Sequence, residues 1–410
     1  MAQDTFFSPV CLLRPCGGVF ALLLGPRAMD PLAAITKAKK LTPEVVEQLR
    51  QTRAKAGLDK NEHITEFTAY RFLKAAKFDV QTAATNLRNH GAWREQEGVE
   101  DLFEMTGPKA QIVLPVLKRV QEVYPCYWYG VDREFRPIEV KLMGRLSFGE
   151  VFGAASQDQL FGFLAHQMEQ LIRVKFPSCC IAARQLVDST LTIVDLAGLS
   201  WWEMTNSNAK GFVSRLVNLQ EKNYPETTGK VIIINAPSIF SAIWSFIKPL
   251  LAERTLAKIS IFGCDAKQWK PALAKLVDEG NLPTEYGGTA GTIDQCRASG
   301  APDAPWNDPK ILAELRTARY VDIVRRVALG GDEALDGDAD DFVSDPGDWE
   351  VPLERSHRLS LVTLQPPVLS SRTPSSGVSL TANGAATAPV PGPTAVVVAT
   401  PTAVVGSQRP

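Results

Sequence analysis

Two opposite charges sit beside apolar runs in this sequence: Glu226, shortly before Val231–Ile234, and Lys258, just before Ile259. On the surface such a pair contributes little. Buried, it is costly unless a polar ligand shares it. Glu226 and Lys258 are therefore candidates for holding a polar group. Thr190 and Thr192 lie two apart on a predicted strand, so their hydroxyls share a face. They reflect β-propensity alone or, if that face lines a cavity, they hold a polar head. Asp195 closes the same strand, either as a base or, the favoured reading, as a carboxylate capping the next turn. Known catalytic signatures are missing: there is no GxSxG, no HExxH, no GxxxxGKS/T, and no GxGxxG after a strand.

The elements that position these residues centre on Asn223 to Gly263. Tyr224-Pro225 and Gly229 punctuate the entry. The run from Val231 to Ile234 suits a strand buried on both faces of a largely parallel sheet. After Asn235-Ala236-Pro237, Ile239, Phe240, Ile243, Trp244, Phe246, Ile247, Leu250 and Leu251 recur at helical spacing over most of the circumference. Such a helix is fully buried, or it moves between protein and something oily; it is too short to span a bilayer. Upstream, Leu41 to Leu102 reads as helices, with Thr42 and Asp79 as caps. Arg136 to Leu142 alternates as a half-buried strand, Gln157 to Phe176 is a long amphipathic helix, Leu191 to Leu196 is a strand, and Thr205 to Asn223 is a helix. This alternation predicts an α/β fold. After Gly287-Gly288 the signals thin out.

Composition narrows the function. The 410 residues are 45% hydrophobic with a net charge of −1, so no basic excess argues for nucleic acid. Seven cysteines lack paired spacing and the four histidines are far apart, which argues against a disulfide framework or a metal site. No stretch is long and apolar enough to be a transmembrane helix. Met1 to Ala28 reads as a targeting segment, as a disordered extension, or as an upstream start with initiation at Met29. Residues 330–410, acidic and then rich in Ser, Thr, Pro and Ala, are expected to be disordered.

Four segments, in order, resemble the CRAL-TRIO lipid-binding family, closest to its phosphatidylinositol transfer (Sec-fourteen-like) branch. Arg71 to Val80 (RFLKAAKFDV) resembles the family's helical N-terminal element. Thr192 to Gly198 (TIVDLAG) resembles its TxxxDxxG strand. Tyr224-Pro225-Glu226 with Asn235-Ala236-Pro237 resembles its core, and Asn281 to Gly288 (NLPTEYGG) its end. The resemblance covers about residues 40 to 290.

The resemblance implies a helical module (39–105) ahead of a lipid-binding domain (106–292), with residues 293–329 as an extension packing on that domain. It implies a mostly parallel sheet flanked by helices around an apolar cavity, gated by Ile239 to Leu251. Glu226, Thr255 and Lys258 match the phosphoinositol-headgroup positions. The fourth position, Arg in the family, is Ala76 here, with Lys74 or Lys77 as nearby replacements. Thr190 and Thr192 match a second, phosphocholine site, where Trp128 and Glu139 occupy two tyrosine places. Trp128 offers a cation–π face to choline, and Glu139 faces a cation or is solvated. Phe135 replaces a turn glycine, so that loop is expected to take another shape. The implied function is non-enzymatic transfer of phosphatidylinositol and a second lipid between membranes, with presentation to lipid kinases. The alternatives are a carrier of a sterol, squalene or tocopherol-like ligand, and a lipid hydrolase. No cofactor beyond bound phospholipid is expected, nor a metal or nucleic acid. The expected state is a monomer, cytoplasmic and peripheral at membranes, including the Golgi and endomembranes.

Overall fold

The structure, a computed structural model, describes residues 31–58, 61, 63–200, 207–317, 323 and 327. The expectations for the N-terminal segment before residue 31 and for the 330–410 tail lie outside these residues. Four helices open the chain: α1 (Pro31–Lys39), α2 (Pro43–Ala56), α3 (Glu66–Ala75) and α4 (Val80–Glu97). Their starts follow from side-chain caps. Thr42 accepts from the Val45 N–H, Thr65 from Thr68 and Asp79 from Thr82, each satisfying a donor that the first helical turn leaves open. Ile35, Leu49, Phe67, Phe72, Leu73 and Leu87 form their shared core.

The chain continues through α5 (Val99–Glu104), α6 (Gly107–Val113) and α7 (Leu117–Val123) into strands β1 (Cys126–Val131) and β2 (Pro137–Lys141). Helices α8 (Phe148–Ala154) and α9 (Gln157–Gln170) follow. The predicted helix from Gln157 to Phe176 does not run straight: a π-turn, Leu171–Lys175, separates α9 from α10 (Phe176–Ala183). Pro177 has no N–H to offer the preceding turn, and one widened turn accommodates it. Strand β3 (Thr190–Asp195), helix α11 (Ser207–Asn223) and strand β4 (Thr228–Ile234) come next. The greasy helix α12 is shorter than predicted, Phe240–Ile247, with a 3₁₀ turn at Lys248–Leu250 where Pro249 ends regular helix. Short helix α13 (Glu253–Leu256), edge strand β5 (Ile259–Ile261) and helices α14 (Ala266–Ala274), α15 (Ile293–Ser299) and α16 (Pro309–Thr317) complete the described elements.

The sheet order is β1-β2-β3-β4-β5, with β1 antiparallel to β2 and the other neighbours parallel. Alternation along the strands gives it two unlike faces. On one, Ile138, Val140, Leu191, Ile193, Ile232 and Ile234 are buried against α10 and α14. Register assigns the other face in rows. Trp128, Glu139, Thr192, Val231 and Ile259 are cross-strand partners, and so are Cys126, Lys141, Val194, Ile233 and Ile261. This second face is charged on β2, where Glu139 and Lys141 lie, and apolar on β4 and β5. Val194 and Val231 are half-buried and Ile261 is 42% exposed, so β4 is not sealed on both sides as its sequence suggests. Beyond Gly288, where sequence signals thin out, Ile293, Cys296, Trp306 and Ile323 join the first core. They are isolated anchors rather than a periodic stripe.

Candidate functional site

Glu226 stands where α11 turns into β4. Its backbone is left-handed, with φ at +59°, an unusual state for a residue with a β-carbon. Arg71 of α3 steadies this turn: one Nη donates to the Glu226 carbonyl at 3.3 Å, the other to the Asp188 carbonyl at 2.8 Å. The carboxylate that results is 5% exposed and faces three cations. Lys74 Nζ lies at 2.9 Å, Arg254 Nε at 2.8 Å and Lys258 Nζ at 3.3 Å. Burial pushes the Glu226 carboxyl up, but Lys74 and Lys258 outweigh it and hold the group below its ordinary value. Glu226 Oε1 is close to Arg254 yet receives no hydrogen bond from the described residues.

Glu226 and Lys258 thus meet as the sequence suggests, while Thr255 turns elsewhere. Its hydroxyl donates to Glu221 Oε1 at 2.7 Å, and Glu221 also pairs with Arg254 at 3.0 Å. Of the two lysines near Ala76, Lys74 reaches Glu226, whereas Lys77 pairs with exposed Glu253. Sequence reasoning missed Arg254 and Glu221. The signal for Arg254 was its place beside Thr255; Glu221 had none, being one charge among several on α11. Three cations against two carboxylates, half-sheltered, can take a phosphate through charge-assisted hydrogen bonds.

Asp195 has a structural role. One carboxylate oxygen accepts from the Ala197 N–H at 2.9 Å and from Asn235 at 2.8 Å, and the other from the Tyr286 hydroxyl at 2.9 Å. Three of the recognised segments (TIVDLAG, NAP and TEYGG) therefore meet at one carboxylate. Gly288 lets the last of them in, since a β-carbon there would lie 2.0 Å from the Leu282 carbonyl oxygen. The node fixes the end of β4 from which α12 departs.

At the polar end of the second face, Thr190 and Thr192 hydroxyls lie 3.4 Å apart and Thr192 donates to Glu139 at 3.4 Å. Glu139 also pairs with Lys141 at 3.1 Å. Of these groups, Glu139 and Lys141 front a cavity whose other walls include Phe163, Gln167 and Met168 of α9 and Leu216 and Gln220 of α11. Trp128 lines it too, and its ring already carries a cation: Lys175 Nζ lies 5.6 Å from the ring centroid and 5.4 Å from that of Trp306. Burial pushes the Lys175 ammonium down to about 8, which leaves it charged at neutral pH.

Over the apolar end lies α12. Phe240 and Ile243 are buried with Ile233 and Leu196, while Trp244 and Ile247 pack half-buried against the same cluster. Trp244 leans on Phe240 at 5.9 Å between ring centroids. Phe246, Leu250 and Leu251 are half-buried without joining that cluster. Among the described residues no helix is long and apolar enough to cross a membrane, and no group of three or more His, Cys, Asp or Glu is placed to hold a metal ion.

A mixed sheet with one solid face and one apolar face under a short greasy helix, behind a helical N-terminal region, is the architecture of a CRAL/TRIO domain. The chain belongs to that family, in its Sec14-like branch: the CRAL/TRIO domain matches residues 121–288. It is 32% identical over 242 residues to the phosphatidylinositol/phosphatidylcholine transfer protein SFH4 of Arabidopsis thaliana, which covers 59% of this chain and 38% of that protein. It is 30% identical over 271 residues to the SEC14 cytosolic factor of Eremothecium gossypii, covering 65% of this chain and 83% of that one. The crystal structure of Sfh5 is similar with a TM-score of 0.44 and 21% identity, over 58% of this chain and 77% of that one. The chain spans 38 to 55% of the length of four Arabidopsis relatives.

Proposed function

We propose that this protein binds phosphatidylinositol and a second lipid and carries them between membranes without catalysing a reaction. The observation that carries the reading is the buried Glu226 carboxylate with three cations around it, at one end of an apolar sheet face. Lys258, Lys74 and Arg254 receive the phosphate, Glu226 Oε1 accepts from inositol hydroxyls, and Thr255 contributes once its bond to Glu221 is exchanged. Lys74 takes the role that Ala76 cannot. The acyl chains lie along Val194, Val231, Ile233 and Ile259 beneath α12. Each methylene removed from water gains roughly 0.8 kcal/mol, so a lipid leaves its bilayer only for a comparably apolar site, and α12 is the element that opens at the membrane. Relatives named for phosphatidylinositol and phosphatidylcholine transfer support the assignment. Thr190, Thr192 and Trp128 belong to the second lipid's headgroup. The protein acts as a monomer in the cytoplasm, transiently at Golgi or other endomembranes, and presents its lipid to kinases of phosphoinositide synthesis.

Native mass spectrometry of the purified protein tests the reading. The expected result is co-purified phosphatidylinositol, exchanged on incubation with labelled vesicles. A sterol, squalene or tocopherol-like ligand in its place, unresponsive to phosphatidylinositol, would contradict it.

A further inference from the structure

The second headgroup position differs from the first in having both charges on one strand. Glu139 and Lys141 are two apart on β2, so they project from the same sheet face, and they pair at 3.1 Å with side chains about one-fifth exposed. Both line the cavity between β1, β2, α9 and α11. Thr192 donates to Glu139 at 3.4 Å, and Glu139 is the cross-strand partner of Trp128. From the geometry we infer that this cavity selects a phospholipid whose headgroup ends in a primary ammonium, as in ethanolamine or serine, over one that ends in choline. The inference rests on the lipid-transfer reading above and names the second ligand's class.

The argument is one of donors and like charges. A desolvated carboxylate gains most from a cation that donates N–H bonds. A primary ammonium has three such donors, whereas quaternary choline has none and offers Glu139 only diffuse attraction. Choline is held instead by open aromatic faces. Here the Trp128 ring has Lys175 Nζ 5.6 Å from its centroid, so a second cation against it meets like charge. Lys141, released from Glu139, takes the lipid phosphate. The internal ion pair is thus replaced by two pairs of the same kind, Lys141 with phosphate and Glu139 with ammonium, and neither protein charge is left buried alone.

Competition for the wild-type protein tests this directly. Vesicles carry labelled phosphatidylinositol with equal labelled phosphatidylethanolamine and phosphatidylcholine, and transfer of each is followed. The expected result is ethanolamine lipid carried about tenfold or more faster than choline lipid, the effect of one charge-assisted hydrogen bond. Glu139→Gln should bring the two within about threefold of each other with phosphatidylinositol transfer retained, while the melting temperature falls because Lys141 loses its partner. Equal or preferred choline transfer with phosphatidylinositol transfer intact overturns this inference alone. So does phosphatidylinositol transfer with neither second lipid carried, which would make Glu139 and Lys141 a closed internal pair. Ethanolamine selectivity without phosphatidylinositol transfer supports this inference and removes the inositol reading; transfer of none of the three overturns both.

Discussion

Phe135 holds a left-handed backbone, φ +60°, with its ring 37% exposed. The family resemblance implies a glycine there and a reshaped loop. The phenylalanine itself takes the left-handed conformation that favours glycine. Asp132 is why it can. Its carboxylate accepts from the backbone N–H groups of Glu134 and Arg136 and pairs with the Arg136 side chain, so the turn is imposed from outside. Left-handed backbone costs such a residue roughly 1–2 kcal/mol, and glycine's extra unfolded freedom costs about 0.4–1 kcal/mol. Phe135→Gly is therefore expected to stabilise the protein by up to about 1 kcal/mol, read as a shift in urea midpoint; a lower midpoint would show that the exposed ring packs usefully. Residue-scale chemistry was partly legible in sequence. Glu226 and Lys258 stood out as charges beside apolar strands. Arg254, which pairs with Glu226, and Glu221, which pairs with Arg254, did not, because their meeting depends on how α13 packs on α11.

Among the elements, α12 is the one whose surroundings the sequence left open. Its all-round apolar pattern allowed either core or gate. The structure buries Phe240 and Ile243 and leaves Trp244 and Ile247 half-buried, so the second pair is the one that can meet a bilayer with little loss of fold. Replacing both Trp244 and Ile247 with Asp is expected to lower lipid transfer roughly tenfold or more, since an acid in the hydrocarbon region costs a few kcal/mol, while the far-ultraviolet dichroism is retained. Full transfer by the double variant would make α12 ordinary core.

The seam between α4 and the Tyr224 turn carries a second expectation. His90 is 2% exposed among Phe72, Trp93 and Tyr224, with Asn223 at 3.3 Å. Burial, then the nearby Arg94 charge, pushes it down to about 4. The unfolded chain therefore binds more protons than the native one between about pH 6.5 and 4, and His90 makes stability fall as pH drops through that window. The loss is on the order of 3 kcal/mol at most. In melting curves from pH 7 to 4, His90→Gln should show a shallower acid decline than wild type; parallel declines would contradict the neutral buried state.

For the whole molecule, the alternation of helices and strands and the four recognised segments made the fold class readable. The structure adds why those segments belong together: three of them close on Asp195, and the fourth, through Arg71, holds the Glu226 turn. What stayed illegible was set by tertiary contact. The helices after Gly288 pack by isolated anchors, and the unlike ends of the second sheet face emerge only from strand register.

The central claim, that the Glu226 cluster addresses an inositol phosphate, is tested most directly by Lys258→Ala in a transfer assay with two labelled lipids, read beside the melting curve. Removing one charge-assisted contact of roughly 1.5–3 kcal/mol is expected to weaken phosphatidylinositol about 10- to 150-fold, with the second lipid nearly unchanged and the melting temperature held by Lys74 and Arg254 on Glu226. Equal loss for both lipids together with a lowered melting temperature would mean that these charges only stabilise the fold, and would contradict the account.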